Sequence, residues 1–551
     1  MNRRQFLGLV GVAATGGVTG CNWLGSNDRP ERSRTSSPSA TQPAPTEAES
    51  PSTSTASPAA SPTPTAEPEF RTVVDVVADY GCVPDGSEPC NDAINEAIAD
   101  GTLIEFPPGE YLVTRPIEVD GDITFGMRGT GETRRDVRFV HPEGYSSRLL
   151  HVTSGSGSLF ENFTADQTDD RVTNSGLLIH QRDGLVVRDV EVAGFTPTDN
   201  GTKDLVVQIT DSSGVGTVER YVNRGGGEVG VYPDAFVGFY SGRHHYGTLR
   251  LLDCHIEQCG SNGVYASRTN GPVQISGGTY RNNAVSQIRV CGQDSFVRDA
   301  TIEIDTDAAD RVDGTYNAVR GIWWESGWQG KSGGAIENCE LAVRSAELAR
   351  GLVEVDGTAG HLAVRDCAFD VDRDGFRAIQ VAPPGVSDMG GTPDRPWDVT
   401  LRDVEIDTSA SRAVDVLVDG RPGSEIDGLT ISQRDSRERD GLFLSNSSGS
   451  RVTRYACESS RYPLWVYTDD SSDAADELIC LGPGVSIATS ASVGSEQIPV
   501  FGTDESAGGS NVCVETAVNT PYSVASTRNE DGTYFGRVLD RSPAYLEYTQ
   551  A

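Results

Sequence analysis

The feature that most constrains this chain is a repeat over residues 249–290. LRLLDCHIEQCGSNGVYASRTN is followed by GPVQISGGTYRNNAVSQIRVCG, in which Gly278 aligns with Cys254 and Ile288 with Val264, both offsets being 24 residues. Each copy holds two short alternating segments separated by polar or Gly-containing turns, a pattern typical of strands rather than helices. Strands this short cannot bury a face alone, so the fixed period predicts a solenoid of stacked coils. We therefore predict an all-β protein, a parallel β-helix in which each repeat is one coil.

The two segments recur beyond this repeat. The first recurs at 186–192, 251–257, 274–280, 297–303, 336–342, 364–370, 401–407 and 425–431. The residue after its Asp, Asn or Gly turn point is small or apolar, as at Val190, Cys254, Gly278, Ala300, Cys339, Cys367, Val404 and Leu429. We expect these residues to form a column that faces the core. Insertions at Asp305–Asn317 and Pro383–Pro396 lengthen the period, and such loops often rim a binding face.

The charge balance limits the partners of this protein. The formal net charge is −35, and the lysines are Lys203 and Lys331 among 45 basic residues. An acidic surface poor in lysine is typical of a protein that stays soluble in high salt, so we expect a halophilic, haloarchaeal-type protein. Because phosphate binding needs basic patches, this charge argues against nucleic acid and anionic membrane surfaces as partners.

Residues 1–21 form a targeting segment. Arg3 and Arg4 precede an apolar run rich in Gly and Ala that ends at Cys21. The paired arginines resemble a Tat signal, and the small residues before Cys21 resemble a lipobox, which implies lipidation of that cysteine. The alternative is a plain secretory peptide with a chance cysteine. We expect an exported protein, anchored by lipid at the extracellular face of the membrane or secreted.

Residues 22–69 follow as a stalk. From Ser26 to Glu69 there is no Val, Ile, Leu, Met or aromatic residue, only Ser, Thr, Pro, Ala, charged and a few other polar residues. Such a segment cannot bury a core, so we predict a disordered spacer that holds the folded part away from the membrane.

Residues 70–150 are predicted to hold an N-terminal cap and the first coils. DYGCVPDG, NDAINEAIADG and LIEFPPGEYLVTRPI indicate a loop, a short helix and two strands, with Asn91 as the helix N-cap. A helix here would cover the open end of the solenoid. Its apolar stripe consists of Ala93, Ile94, Ala97 and Ile98.

Those three segments, about 50 residues long, resemble the N-terminal signature of the pectate-lyase-like, right-handed parallel β-helix superfamily. That superfamily includes polygalacturonases, rhamnogalacturonases, pectate lyases and phage tailspikes. The resemblance implies a right-handed parallel β-helix over residues 151–470, with further coils or a cap in 471–551. It also implies an extracellular polysaccharide as partner, but no particular chemistry, because the superfamily contains hydrolases, lyases, epimerases and non-enzymes.

The second recurring segment points to a candidate groove. If Val264, Ile288 and Ile322 face the core, alternation along each strand directs the following residues outward on successive coils. Those residues are Tyr265, Arg289 and Trp323. Aromatic faces stack on sugar rings and arginines hold uronate carboxylates, so the row suits an acidic glycan.

Flanking residues extend this groove. The insertion GIWWESGWQG at 321–330 supplies three of the six tryptophans of the chain, of which one is expected to pack inward. We assign substrate binding to Tyr265, Arg268, Arg320, Trp323 and Trp328. The alternative is that the arginines balance an acidic surface and the tryptophans cover a coil edge.

Three residues are candidates for proton transfer: Arg289, Glu325 and His244. The Asn-Thr-Asp, Asp-Asp and Gly-His-Gly motifs of polygalacturonases are not recognisable in the coils, which puts that activity in doubt. In pectate-lyase-like chemistry an Arg acts as base beside Ca²⁺ held by carboxylates. Arg289 suits that role, so Ca²⁺ is an open question, and we assign no metal ligands.

Two functions stay open. The first is a lyase or glycoside hydrolase acting on uronate-containing polysaccharide, and the second is a non-catalytic glycan-binding or structural surface protein. An enzyme should bring two titratable groups together beside Trp323, whereas a binder needs only the aromatic row. The sequence does not indicate an oligomeric state.

Six of the eleven cysteines fall into two groups, and Cys480 with Cys513 is a further candidate pair. Cys82 and Cys90 share a short polar loop and are a candidate disulfide after export. Four others lie in or beside the inward column as apolar thiols: Cys254, Cys339, Cys367 and Cys457. No C-x-x-C occurs, so no zinc site is indicated.

Overall fold

The computed structural model describes residues 67–464 apart from 198–202, 231–235, 311–318 (with Gly314 and Tyr316 described), 347–349 and 388–390. After Leu464 it describes only backbone strands. The predicted signal, the lipidation site Cys21 and nearly all of the stalk lie outside the described residues.

The chain forms a right-handed parallel β-helix, as the repeat predicts. Among the described residues two sheets run along the solenoid, one of 29 strands and one of 16. Each full coil contributes two strands to the first, which we name the two-strand sheet, and one strand to the second, the one-strand sheet. Successive coils pair in parallel register, for example Val264 with Ile288 and Ile288 with Ile322.

The one-strand sheet contains the following strands, of which the last two pair antiparallel: Ile117–Val119, Leu150–Val152, Leu177–Gln181, Lys203–Ile209, Val237–Tyr240, Asn262–Tyr265, Ser286–Val290, Ile322–Trp324, Gly351–Val355, Arg377–Val381, Ala413–Asp419, Arg439–Ser445, Leu464–Thr468, Gln497–Gly502, Val524–Arg528 and Tyr534–Val538.

The two-strand sheet contains Thr72–Asp75, Asp85–Pro89, Thr102–Phe106, Gly109–Leu112, Phe125–Gly129, Val137–Val140, Leu159–Asp166, Leu185–Ala193, Val215–Glu219, Val222–Asn223, Thr248–Leu252, His255–Glu257, Val273–Ser276, Thr279–Arg281, Phe296–Arg298, Thr301–Asp305, Ala335–Glu337, Glu340–Ser345, Leu362–Arg365, Ala368–Val371, Val399–Thr408, Glu425–Gln433, Ser450–Thr453, Ala456–Ser459, Ile479–Leu481, Val485–Thr489, Val512–Glu515, Pro521–Tyr522 and Leu546–Gln550.

From Leu159 to Ser459 a left-handed residue bends each coil between its two segments in the two-strand sheet. It is the turn point of the repeat, with φ between 45° and 79° at Asn162, Asp189, Arg220, Asp253, Gly277, Asp299, Asn338, Asp366, Asp403, Gly428 and Arg454. Asn, Asp and Gly tolerate this conformation better than other residues, which explains why they recur there. The strand direction therefore changes at the same place in these coils.

The residue after each bend turns inward, as the column pattern predicts. Val190, Cys254, Ala300, Cys339, Cys367, Val404 and Leu429 are at most 2% exposed. Together with the inward residues of the one-strand sheet they belong to one apolar cluster that runs the length of the described coils. The thiols of Cys254, Cys339, Cys367 and Cys457 are buried and free of disulfides.

A short helix lies over the first coils. It spans Asn91–Ala97, and its residues Ile94 and Ala97 are buried against the core, with Ala93 and Ile98 packed beside them. The prediction of Asn91 as the N-cap is wrong, since Cys90 takes that place. The Asn91 side chain instead accepts a hydrogen bond from the Thr114 amide (2.8 Å) and donates to the Arg115 carbonyl (2.7 Å). It therefore fixes the chain that leads into the one-strand sheet.

Short 3₁₀ helices occur at Arg134–Asp136, Thr306–Ala308 and Gly327–Gln329. A disulfide joins Cys82 to Cys90, which lie on either side of the strand Asp85–Pro89. Within the part of the chain that the structure describes, no helix has the length and apolar character needed to cross a membrane.

Candidate binding face of the one-strand sheet

The candidate row forms a ladder on the outer side of the one-strand sheet. Tyr265 pairs in register with Arg289, Arg289 with Trp323, and Trp323 with Glu354. Their neighbours Val264, Ile288 and Ile322 belong to the core cluster, whereas the ladder residues do not. Residues 24–34 apart in sequence thus become direct neighbours on the surface of the solenoid.

The ladder is stacked so closely that its middle is covered, which the sequence did not predict. The Arg289 guanidinium lies 4.5 Å from the Tyr265 ring and 3.8 Å from the Trp323 ring. Arg289 is 0% exposed and Trp323 is 9% exposed. Coils are spaced by about 4.8 Å, so planar side chains at one register position cover each other face to face. The expectation of an exposed Arg289 is therefore wrong.

Glu325 completes a buried ion pair beneath this stack. Its Oε2 accepts hydrogen bonds from Arg289 Nε (2.6 Å) and Ser267 Oγ (2.7 Å), and Glu325 is 0% exposed. Burial by itself would raise the pKa of Glu325, but Arg289, Arg268 and the bound hydroxyl outweigh it and lower the pKa. The Glu325 carboxylate is therefore ionised, buried and hydrogen-bonded. It positions Arg289 and does not contact a bound polysaccharide.

A second ion pair continues the ladder on the next coil. Arg320 Nε donates to Glu354 Oε2 at 2.9 Å, and the Arg320 guanidinium lies 4.0 Å from the Trp323 ring. Trp323 is thus held between Arg289 and Arg320. Arg320 and Glu354 are 5% and 6% exposed, so this pair is nearly covered as well.

The accessible part of the site lies at the rim of the ladder. The Arg268 guanidinium stands 5.6 Å from the Tyr265 ring and 5.0 Å from the ring of Trp328. Trp328 is 60% exposed, and the Arg268 side chain retains 21% of its exposure. Of the three clustered tryptophans, Trp324 packs in the core at 0% exposure, Trp323 is stacked, and Trp328 faces solvent.

Neighbouring turns hold this rim in place. Gln329 donates to the carbonyl of Thr269 and to Asn270 Oδ1, both at 3.2 Å. Lys331 Nζ donates to the carbonyl of Ser267 at 3.2 Å and also to that of Thr269. These hydrogen bonds connect the turn that carries Trp328 to a turn two coils away. They therefore hold the Trp328 ring in position before any ligand binds.

The two adjacent histidines occupy a turn, where they differ in exposure. His245 is buried, with Nδ1 accepting from the Ile209 amide at 3.1 Å, and burial lowers its pKa to about 4. His244 is exposed and lies near His180, whose pKa is lowered to about 4 by burial and by His244, His151 and Arg148. The imidazole of His180 is therefore neutral at neutral pH.

Sequence analysis did not assign roles to Ser267 and Lys331, although both tie the site together. Ser267 lies two residues after Tyr265, so strand alternation could have placed it on the same outer side. Nothing local indicates Lys331, because its partners belong to a turn more than 60 residues earlier. His180 was missed because its neighbours His151 and His244 lie on two other coils.

The possibility of Ca²⁺ does not fit the described residues. Among them no group of three or more His, Cys, Asp or Glu side chains is arranged to hold a metal ion. Glu325, the acid nearest Arg289, is already taken by Arg289 and Ser267. We assign no step to calcium.

Comparisons with known proteins find structural likeness only. No family model matches the chain, and no curated protein matches it. The mannuronan C-5 epimerase AlgE4 A-module of Azotobacter vinelandii has 14% identity and a TM-score of 0.40, with 72% of this chain and 100% of that chain covered. The Dettilon tailspike protein gp208 has 11% identity and a TM-score of 0.41 (85% and 76% covered). The Streptococcus pneumoniae surface protein and adhesin PfbA has 10% identity and a TM-score of 0.39 (67% and 100% covered). These values are too low to transfer a residue role or an activity to this chain.

Proposed function

We propose that this protein binds an acidic, uronate-containing polysaccharide outside the cell, along the outer face of the one-strand sheet. The observation that carries the proposal is the rim, where Arg268 lies between Tyr265 and the exposed ring of Trp328. An exposed indole offers a platform for a sugar ring, and the adjacent guanidinium offers paired donors to a carboxylate.

Binding is better supported than cleavage by Arg289 and Glu325. Both side chains are 0% exposed, and a hydrogen bond of 2.6 Å joins Arg289 Nε to Glu325 Oε2. A proton-transfer group must come within hydrogen-bond reach of the substrate, and this pair is separated from solvent by the stacked rings. We therefore assign Arg289 and Glu325 to positioning the ladder.

Replacing Trp328 by alanine is expected to weaken binding of an oligogalacturonate by about 10- to 100-fold, because exposed aromatic anchors carry much of the energy at such sites. Titration calorimetry in high salt measures the affinity. Val73→Ala is the control, since Val73 is 55% exposed on the first strand, far from this rim along the coils. If the Trp328 variant and the wild type bind with equal affinity, the rim is not the binding site.

A lyase or hydrolase is the second candidate, favoured by His180. This residue lies on the same sheet as the ladder, at the register position of Gln208. His180 is only half-buried, and its neutral imidazole can accept a proton. A screen of acidic polysaccharides, reading unsaturated products by ultraviolet absorbance and new reducing ends, tests it. Products that disappear in His180→Gln would establish the enzyme, and binding without products would exclude it.

Export and anchoring belong to the same proposal. The paired arginines and Cys21 support a lipid anchor followed by a stalk, which would present the binding face to extracellular polymer. Cys21→Ser is expected to move the protein from the membrane fraction to the medium. Cys254→Ser, a substitution at a buried core thiol, is the control. Unchanged fractionation of the Cys21 variant would contradict the anchor.

A further inference from the structure

A second cleft opens on the opposite sheet. It has a volume of about 1000 Å³ and lies on the outer side of the two-strand sheet, beside the bends of the early coils. Its lining is rich in arginine, which is unusual in a chain with a net charge of −35. Those arginines are Arg128, Arg134, Arg135, Arg188 and Arg224.

One wall of the cleft is held rigidly. The turn that contains Arg134–Asp136 reaches across neighbouring coils, where Arg134 Nη1 donates to the Arg220 carbonyl at 2.6 Å. Arg135 forms two hydrogen bonds with the Glu191 carboxylate, at 2.9 and 2.8 Å. Thr164 Oγ1 donates to the Arg134 carbonyl at 2.9 Å. The cleft is therefore formed before a ligand binds, as ligand sites usually are.

The floor carries two arginines around one carboxylate. Glu161 accepts from Arg128 Nε at 2.8 Å through one oxygen and from Arg188 Nε at 2.7 Å through the other. Glu105 lies farther away, 3.9 Å from Arg128 Nη1. Arg188 also places Nη2 2.5 Å from Glu161, and the side chains of Arg128 and Arg188 are 29% and 26% exposed, so both guanidinium groups are partly open to the cleft.

A carboxylate from outside the coils accepts a hydrogen bond from Arg128 and lies near Arg188. Glu67 Oε1 lies 2.7 Å from Arg128 Nη2 and 4.0 Å from Arg188 Nη2, and the Glu67 side chain is 55% exposed. Glu67 belongs to the end of the predicted stalk. Three residues later, Phe70 packs on Leu103, Leu159 and Val186 on the outer side of the sheet. Phe70 thus anchors the segment and brings Glu67 to the arginine pair.

We propose that Arg128 and Arg188 form the carboxylate-recognition point of a second glycan-binding site, and that Glu67 occupies it as a displaceable stand-in. An exposed ion pair is weak, so a ligand carboxylate can replace Glu67. The ligand must compete with a high local concentration of the Glu67 carboxylate, because Phe70 anchors the segment that carries it. A uronate residue suits this lining because its carboxylate would face the arginine pair, and the exposed Arg224 lines the same cleft as a donor for its hydroxyls. The identity of the ligand as an acidic saccharide rests on the proposed function, whereas the anion site rests on the arginine pair itself.

Titration of the full chain with an oligogalacturonate tests this site in a Trp328→Ala background, which removes the rim of the one-strand sheet. Adding Glu67→Ala is expected to raise the residual affinity about two- to fivefold, since the competing carboxylate is gone. Adding Arg188→Gln is expected to lower it by about tenfold or more. Glu69→Ala, an exposed acid in the same segment, is the matched control and should change nothing. None of these substitutions should change the affinity for neutral maltohexaose.

The outcomes separate this inference from the proposed function. If Trp328→Ala alone abolishes binding and the Glu67 variant restores none, the cleft is not a glycan site while the rim stands. If Trp328→Ala changes nothing but Arg188→Gln lowers the affinity, the cleft stands and the rim fails. Identical affinities of the Glu67, Glu69 and Arg188 variants would overturn the inference. The Glu67 test does not depend on folding of the arginine variant, because an exposed stalk residue contributes little to stability.

Discussion

Replacing Arg289 by methionine is expected to lower the free energy of unfolding by about 3–5 kcal/mol at neutral pH, because it leaves a buried carboxylate without its main partner. Arg289 and Glu325 are both 0% exposed and lie 2.6 Å apart. The substitution also removes a cation from between the Tyr265 and Trp323 rings. Chemical denaturation measures the loss.

The loss should depend on pH in a defined direction. In the wild type the pKa of Glu325 is lowered, so this group adds stability above its ordinary pKa and the contribution disappears as the pH falls. Without Arg289, burial dominates and raises the pKa of Glu325, so the folded variant gains stability by binding a proton. The deficit of the variant should therefore be largest at neutral pH and shrink toward pH 5.

Arg115→Met is the control for this prediction. Arg115 pairs with Asp92 at 2.5 Å, but the two side chains are 53% and 94% exposed. Exposed pairs contribute about 0–1 kcal/mol, so this variant should unfold almost like the wild type. A loss for Arg289→Met no greater than that of the control, or one that does not vary with pH, would contradict the buried ion pair.

Replacing Trp324 by alanine is expected to cost about 3–5 kcal/mol, the range for truncating a large side chain in a close-packed core. Trp324 is 0% exposed and is among the largest fully buried side chains described. Glycine at position 334 makes room for it, since a Cβ there would lie 2.2 Å from the Trp324 ring. Thermal unfolding of the variant measures the effect.

The matched control comes from the same insertion. Trp328 is 60% exposed, so Trp328→Ala should change stability by about 0.5 kcal/mol or less, as surface substitutions do. Trp324→Ala should therefore lose stability, whereas Trp328→Ala should lose affinity for the saccharide and keep its stability. Similar losses of stability in both would show that the inward and outward assignments are wrong.

The stacking of coils could be predicted from the sequence because it depends on a local period. The 24-residue offset determines which residues become neighbours, and alternation determines the side on which each lies. The pairing of Tyr265 with Arg289 follows from those two rules alone, whereas that of Arg289 with Trp323 also needs the recurrence of the segment after the insertion at Asp305–Asn317. The left-handed bend at Asp253 or Asn338 likewise follows from the recurrence of residues that tolerate positive φ.

Exposure at the site could not be predicted in the same way, because it depends on how planar side chains cover each other. Period and alternation place Arg289 outward, but the rings 4.5 and 3.8 Å away on both sides enclose it. The contact of Glu67 with Arg128 is also beyond such rules, since it joins the stalk to a coil 61 residues later. Contacts of this kind do not recur along the chain, so no periodic pattern in the sequence predicts them.

A crystal structure of the protein soaked with an oligogalacturonate is the most direct test of the proposed function. We expect a sugar ring stacked on Trp328, with its carboxylate within hydrogen-bond distance of Arg268. Binding in solution accompanied by density elsewhere and none over Trp328 would contradict it.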